Sequence, residues 1–238
     1  MANEYLVNSA DLTAVADAIR AKGGKSEALA FPGGFVDAVG AIETGSGDPY
    51  DVARQIMMGT IEVFSDDVIT NVKEGTFFNC AKLTTINAPN IKDIGRLGCS
   101  GTTLLNNITT ENITGLSSEV FTYSGITELN FPKLTRAYAN CFQYSKSLKK
   151  VDIGSSYSWG IEAGWFYEDS ALETFILRAT ALITLRSTNA FTGTLIASGS
   201  GYIYVPANLV DTYKAATNWA TYAGQIRAIE DYPEITGG

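Results

Sequence analysis

The chain repeats itself every 21 to 25 residues, and no other feature restricts its fold so strongly. Apolar residues recur at Leu83, Leu105, Ile126, Leu148 and Leu172, in steps of 22, 21, 22 and 24. Three residues further on, Ile86, Ile108, Leu129, Val151 and Phe175 make a second register. A third runs through Phe77, Cys99, Phe121, Phe142, Phe166 and Phe191, and five residues before its first five members comes a fourth, Val72, Ile94, Leu116, Ala137 and Ile161. Ile69, Ile91, Ile113 and Leu134 supply a fifth. Chance does not keep so many registers in step. A unit this short cannot bury its own apolar face, so each must be one coil of a stack in which neighbouring coils complete the core.

The unit reads apolar-x-x-apolar-x-x-x-x-Phe-x-x-small-x-x-Leu-x-x-apolar, with polar residues between. Its Leu-x-x-apolar segments, LTTI, LNNI, ITEL, LKKV and LETF, predict one short strand per coil, closed by breaks such as Ala88-Pro89-Asn90 and Phe131-Pro132-Lys133. At roughly 25 cal/mol per Å² of apolar area, each inward Leu or Phe stabilises by about 1.5–3 kcal/mol. The expected fold is therefore an α/β-type repeat solenoid over residues 69–200.

A solenoid needs covered ends. After the loop at 193–201, the alternation in YIYVPA places Tyr202, Tyr204 and Pro206 on one side and Ile203 and Val205 on the other. Helical spacing follows at Leu209, Tyr213, Ala216 and Trp219, so residues 201–238 are expected to form a strand-helix cap and tail. Residues 46–68 are expected to be a linker and N-terminal cap, with a helix and strand within 50–66. Residues 1–45 have another character: two short amphipathic helices, one carrying Leu12, Val15 and Ile19, the other Phe35, Val36 and Val39, too small for an independent core. These six residues are the candidates for attachment or self-association.

Several kinds of chemistry lack the residues they need. The chain has no histidine, which removes the commonest general base and most zinc or triad arrangements. Cys80, Cys99 and Cys141 are odd in number, widely spaced, and read as reduced core residues. The acid pairs Asp66-Asp67, Glu168-Asp169 and Glu230-Asp231 are sequence neighbours that point apart, and are expected to be solvated turn residues. Lys22-Gly-Gly-Lys25 lacks the phosphate-loop spacing, and Asn107-Ile-Thr and Asn112-Ile-Thr read as polar turns. A net charge of −8 opposes binding to nucleic acid or anionic membranes. Enzymatic activity, cofactors and metals are not expected.

The recurrence of Phe-x-x-Cys/Ser-x-x-Leu as FFNCAKL and FQYSKSL resembles the BspA-type leucine-rich repeats of bacterial and phage proteins. YIYVPANLVDTYKAATNWATYAGQIRAIE is similar to the segment that closes such repeats, and DLTAVADAIRAKGGKSEALAFPGGFVDAVGAI resembles the helical opening of tail-associated proteins encoded by phages of gut Firmicutes. Cys99 in place of an aromatic, and a third repeat one residue short around Tyr123-Ser124-Gly125, depart from the pattern. The resemblance implies a virion structural protein, associated with a tail fibre or baseplate, that presents its repeats for host-cell attachment. Its implied partners are other tail or capsid proteins, reached through the N-terminal helices, and a host-cell surface protein or glycan. Nucleic acid and membrane insertion are not implied, and a homo-oligomer, a trimer, is expected. The start MANEYLVNSADL has neither the basic beginning nor the apolar middle of a secretion signal, favouring a part made in a host cytoplasm and carried in the virion. A capsid decoration or head-fibre protein and a bacterial surface adhesin are the alternatives.

The candidate recognition residues are aromatic: Tyr144, Tyr157, Trp159, Trp165 and Tyr167, within two successive coils. Exposed rings stack on sugar faces and anchor protein contacts. Trp165 and Tyr167 flank Phe166 and are expected to be half-buried, leaving Trp159, in a Ser-Tyr-Ser-Trp-Gly loop, as the leading surface candidate.

Overall fold

The Leu-x-x-apolar segments each yield a short parallel strand, and strands before and after them continue the stack in the same direction. In the computed structural model, which describes residues 51–237, these are β1 (Val63–Ser65), β3 (Thr85–Asn87), β5 (Asn107–Ile108), β7 (Glu128–Phe131), β9 (Lys150–Ile153), β10 (Thr174–Leu177), β11 (Tyr202–Val205) and β12 (Ile226–Ala228). The two helices expected within 1–45, with Leu12, Val15, Ile19, Phe35, Val36 and Val39, lie outside the described residues.

The strands form a three-stranded sheet, β1-β3-β5, and a five-stranded sheet, β12-β11-β10-β9-β7. All pairs are parallel, and partners sit one repeat apart, as in Phe175 opposite Val151 and Ile203. The ladder is interrupted between β5 and β7, where the repeat is a residue short. There Gly125 passes so close beneath Thr103 that a Cβ would lie 2.2 Å from its carbonyl oxygen. A second strand per coil was not anticipated: β2 (Asn71–Val72), β4 (Asp93–Ile94), β6 (Gly115–Leu116) and β8 (Arg136–Ala137) form a four-stranded parallel sheet on the fourth register. Two-residue strands carry too little alternation to be read from sequence.

The five registers bury their members, except that Ile69, at the N-terminal end of the fifth, is only partly buried. Leu83, Leu105, Ile126, Leu148 and Leu172 are at most 1% exposed, and Val72, Ile94, Leu116, Ala137 and Ile161 at most 3%. The third register becomes a column of rings: Phe121 stacks on Phe142 (centroids 5.9 Å apart), Phe142 on Phe166 (5.2 Å), and Phe166 tilts against Phe191 (5.5 Å). Cys99 interrupts the column, while Phe77 meets Phe64 of β1 edge-on at 4.9 Å. Cys80, Cys99 and Cys141 are buried free thiols, as expected, and burial raises all three pKa values, leaving them unreactive.

The corner around each phenylalanine has an unexpected backbone. The residues two before and two after it adopt positive φ: 75 and 79, 97 and 101, 119 and 123, 140 and 144, 164 and 168, then 193. Left-handed geometry at both places turns successive amides along the stack. Thus Glu119, Phe121 and Tyr123 donate their N–H groups to the carbonyls of Ala139, Cys141 and Gln143 in the next coil. The corner is in effect a third inter-coil ladder.

At the N-terminal end, α1 (Asp51–Met57) precedes β1, and the Cys80 thiol donates to the Ile56 carbonyl at 3.6 Å. At the other end the expected single helix is replaced by shorter pieces. The helix α2 (Val210–Ala215) stops where Ala216 turns extended, and 3-10 turns over Trp219–Gln225 lead into β12. The break at Asn218, with φ of 65°, lets its amide donate to the Leu185 carbonyl at 2.7 Å. The last coil's free edge is then met by side chains. Tyr213 accepts from the Ile183 N–H at 3.0 Å, Trp219 Nε1 donates to the Ile183 carbonyl at 2.7 Å, and the Tyr222 hydroxyl donates to the Thr188 carbonyl. Trp219 and Tyr222 also close the ring column against Phe191, at 6.1 and 5.1 Å. Exposed edges left bare would recruit other strands, and here the polar groups of Ile183, Leu185 and Thr188 are taken up by the cap's side chains.

Candidate recognition surface

The five aromatic candidates do not form one group. Trp165 is fully buried, its ring against Phe142 and Phe166 and its Nε1 donating to the Tyr138 carbonyl at 2.9 Å. Tyr157, 2% exposed, packs on Trp165 and donates to the Gly160 carbonyl at 2.9 Å. Both are therefore core, not surface: the coil that steps 24 residues instead of 22 has extra chain to fold inward, and apolar rings fill that space.

Trp159 is exposed, as expected, but its neighbours come from other coils. It lies against Tyr138 (5.9 Å) and under the Arg186 guanidinium (5.9 Å), and Glu162 accepts from both the Trp159 indole (3.0 Å) and Arg186 Nε (2.8 Å). The carboxylate thus pins a cation and an aromatic face together, which leaves the tryptophan's geometry set by its own chain.

Tyr144 and Tyr167 join a different set. Tyr123 and Tyr144 stack face to face, centroids 4.9 Å apart and planes within 6°, and Tyr167 continues the row edge-on at 5.7 Å. Tyr123 is 53% exposed and the other two half-buried. Beside them opens a shallow hollow of about 770 Å³, lined by Phe78, Leu97, Gly101, Glu119, Tyr123 and Gln143 among others. Phe78 exposes nearly half its surface there. Partial burial, with Tyr167, Tyr123 and Glu168 nearby, raises the Tyr144 phenol pKa.

The backbone marks this row as costly. Tyr123 and Tyr144 have φ of 57° and 59°, at the corner position that Asn79, Gly101 and Gly193 occupy in other coils. A left-handed tyrosine costs on the order of 1 kcal/mol relative to glycine, while an aromatic pair returns about 0.5–1.5 kcal/mol. Leu97, Glu119 and Glu168 bear the same left-handed geometry, which the corner imposes on every coil; what sets Tyr123 and Tyr144 apart is that their rings stack on each other at the surface. Sequence reasoning missed Tyr123 and Phe78. The available signal was register: Tyr123 and Tyr144 both stand two residues after the phenylalanine, in consecutive repeats.

The acid pairs divide as well. Asp169 was expected to be solvated, yet it is fully buried, because it holds the repeat's small position, in line with Cys80, Thr102, Ser124, Ser145 and Thr194. Its Oδ1 accepts from the Ser145 N–H at 2.6 Å, Oδ2 has no partner, and burial raises its pKa to about 9. With no exposed surface it cannot meet a substrate. Among the described residues, no cluster of three or more Cys, Asp or Glu could hold a metal ion.

Parallel strands stacked once per coil around a ladder of Leu, Ile and Phe define a leucine-rich-repeat scaffold, an α/β-type solenoid. The chain belongs to the BspA-type leucine-rich repeat family, whose model, described as a BspA type leucine rich repeat region in 6 copies, matches residues 70–197. No curated protein matches significantly. Among solved structures, the pneumococcal vaccine antigen PcpA is similar at 11% identity and a TM-score of 0.54, over 71% of this chain and 40% of that one. A Treponema pallidum leucine-rich repeat protein is 20% identical with a TM-score of 0.44, over 46% and 52% of the two chains. A leucine-rich cell surface protein of Faecalibacterium prausnitzii is 17% identical with a TM-score of 0.30, over 71% and 43%. The chain thus spans about half or less of each of these proteins, and the PcpA likeness supports the fold alone.

Proposed function

We propose that this chain is a non-catalytic recognition protein whose tyrosine row, Tyr123, Tyr144 and Tyr167, contacts a glycan or protein on a host-cell surface. The face-to-face stack at the surface, beside an open apolar hollow, is the observation that carries the reading. We further propose that it works as a tail-associated virion protein, joined to other virion proteins and to copies of itself through Leu12, Val15, Ile19, Phe35, Val36 and Val39. That part is supported by the resemblance of residues 11–42 to the opening of phage tail proteins.

Asparagine tolerates left-handed geometry, so Tyr123→Asn with Tyr144→Asn removes the rings and keeps the corner. The double variant is expected to lose at least about 30-fold in binding to host cells, the loss of roughly 2 kcal/mol typical of an aromatic anchor, with thermal stability unchanged or raised. Retained binding, or lost binding that merely tracks unfolding, would count against the row. For the assembly half, immunogold labelling is expected at the tails of phage particles, and sedimentation at three times the chain mass. Label confined to a bacterial envelope would sink the virion reading, and a monomeric mass the trimer.

A further inference from the structure

Beyond β12 the chain turns back on itself. A 3-10 turn (Ile229–Asp231) and α3 (Pro233–Thr236) carry it across the outward face of β11, β10 and β9. The path is marked by three contacts. The Tyr232 ring meets Tyr204 edge-on at 5.4 Å, Lys150 Nζ donates to the Ile235 carbonyl at 2.7 Å, and Gly237 reaches the hollow lined by Asp152 and Arg178.

Burial records what lies beneath. Ile176 and Tyr204 are register partners on the outward side of the sheet and belong to no part of the contiguous core, yet they are 0% and 2% exposed. Asp152 and Arg227, the next residues along the same row, stay partly exposed. Hollows of about 530 and 500 Å³ flank the covering segment, one bounded by Thr174, Tyr202 and Arg227, the other by Asn130, Asp152 and Arg178. The cover itself is thin: Pro233, Glu234 and Gly237 are exposed, and Tyr232 and Ile235 are half-buried.

We propose that this sheet face is a peptide-docking groove, occupied here by residues 232–237, and that its external ligand is a partner's peptide of the same chemistry. Such a peptide carries an aromatic and a branched aliphatic residue three positions apart with an acid between them, as Tyr232, Glu234 and Ile235 do. The rings of Tyr202 and Tyr204 and the apolar Ile176 take the apolar side chains, and Lys150 and Arg227 supply the positive edges that suit an acidic segment. The groove lies on the strand face, away from the corner that bears the tyrosine row, and the proposal does not depend on that row.

The test uses the full chain with Tyr232→Ala and Ile235→Ser, which frees the groove, and a fluorescein-labelled peptide EDYPEITGG followed by anisotropy. Saturable binding at least tenfold tighter to the double variant than to the unaltered chain is expected, with no binding of a peptide whose isoleucine is replaced by serine. Lys150→Ala in the freed background should weaken the probe severalfold, since it removes the donor to the isoleucine carbonyl. Absent or equal binding to both chains would overturn the proposal, as would indifference to Lys150→Ala. If the double variant melts early, Ile235→Ser alone is held to the same outcomes.

Discussion

Phe166→Ala is expected to destabilise the solenoid by about 3–5 kcal/mol, the range for deleting a buried phenylalanine when the cavity cannot collapse. The ring is fully buried and contacts Phe142, Trp165, Phe175 and Phe191, so it joins three consecutive coils and ties the ring column to the strand register through Phe175. Parallel coils held by backbone ladders on several sides cannot move inward to fill the gap, which places the variant at the costly end. Repeat proteins draw stability from interfaces between neighbours, so loss at a central coil should also split the unfolding transition. Urea unfolding followed by circular dichroism measures both effects. Phe78→Ala, on a ring almost half exposed, should cost less than about 1 kcal/mol and serves as the control. A Phe166→Ala loss no larger than the control's would contradict the ring column as a source of stability.

Asp169→Asn is expected to stabilise the protein at neutral and alkaline pH, the reverse of the usual effect of removing a buried carboxylate's charge. An ordinary aspartate titrates near 3.8, and burial raises Asp169 to about 9 in the folded chain. Between those values the folded state keeps a proton that the unfolded state has released, so folding takes up a proton and stability falls as pH rises. The contribution is full below the unfolded value and is lost progressively up to the folded one. A tenfold difference in proton affinity between the two states corresponds to about 1.4 kcal/mol, and relaxation around a buried charge reduces the total, so a gain of about 2–5 kcal/mol at pH 8 is expected. Asparagine keeps the acceptor for the Ser145 amide and has the shape of the neutral acid. Near pH 4 the two proteins should be almost equally stable. Parallel pH slopes for the two between 5 and 9 would show that Asp169 is already ionised in the fold.

The same residue shows how sequence and structure divided the information. Glu168-Asp169 reads as a solvated turn because two adjacent acids usually are. The repeat already held the contrary signal, since Asp169 follows Phe166 by three residues, as Ser145 follows Phe142 and Thr194 follows Phe191. Register outranked residue type: a side chain's direction is set by its place in the coil, and a carboxyl placed inward protonates sooner than it turns out. Tyr144 and Tyr167, singled out for their rings, are half-exposed, whereas Tyr157 and Trp165, singled out on the same ground, are core. Aromatic content alone does not separate the two environments.

By itself the sequence determined the period, the inward columns, the strand after each Leu, the buried thiols and the change of pattern after the last coil, because each follows from how often an apolar group must face a neighbouring coil. Only the tertiary structure decided the second short sheet, the left-handed corners, the side chains that close the last coil and the segment lying over the strand face. Gly75, Asn79, Gly101, Asn140, Gly164 and Gly193 suit positive φ, but Leu97, Glu119, Tyr123, Tyr144 and Glu168 do not announce it. Their conformation is imposed by amides that must reach the next coil, an interaction between residues about 20 positions apart that no local preference encodes.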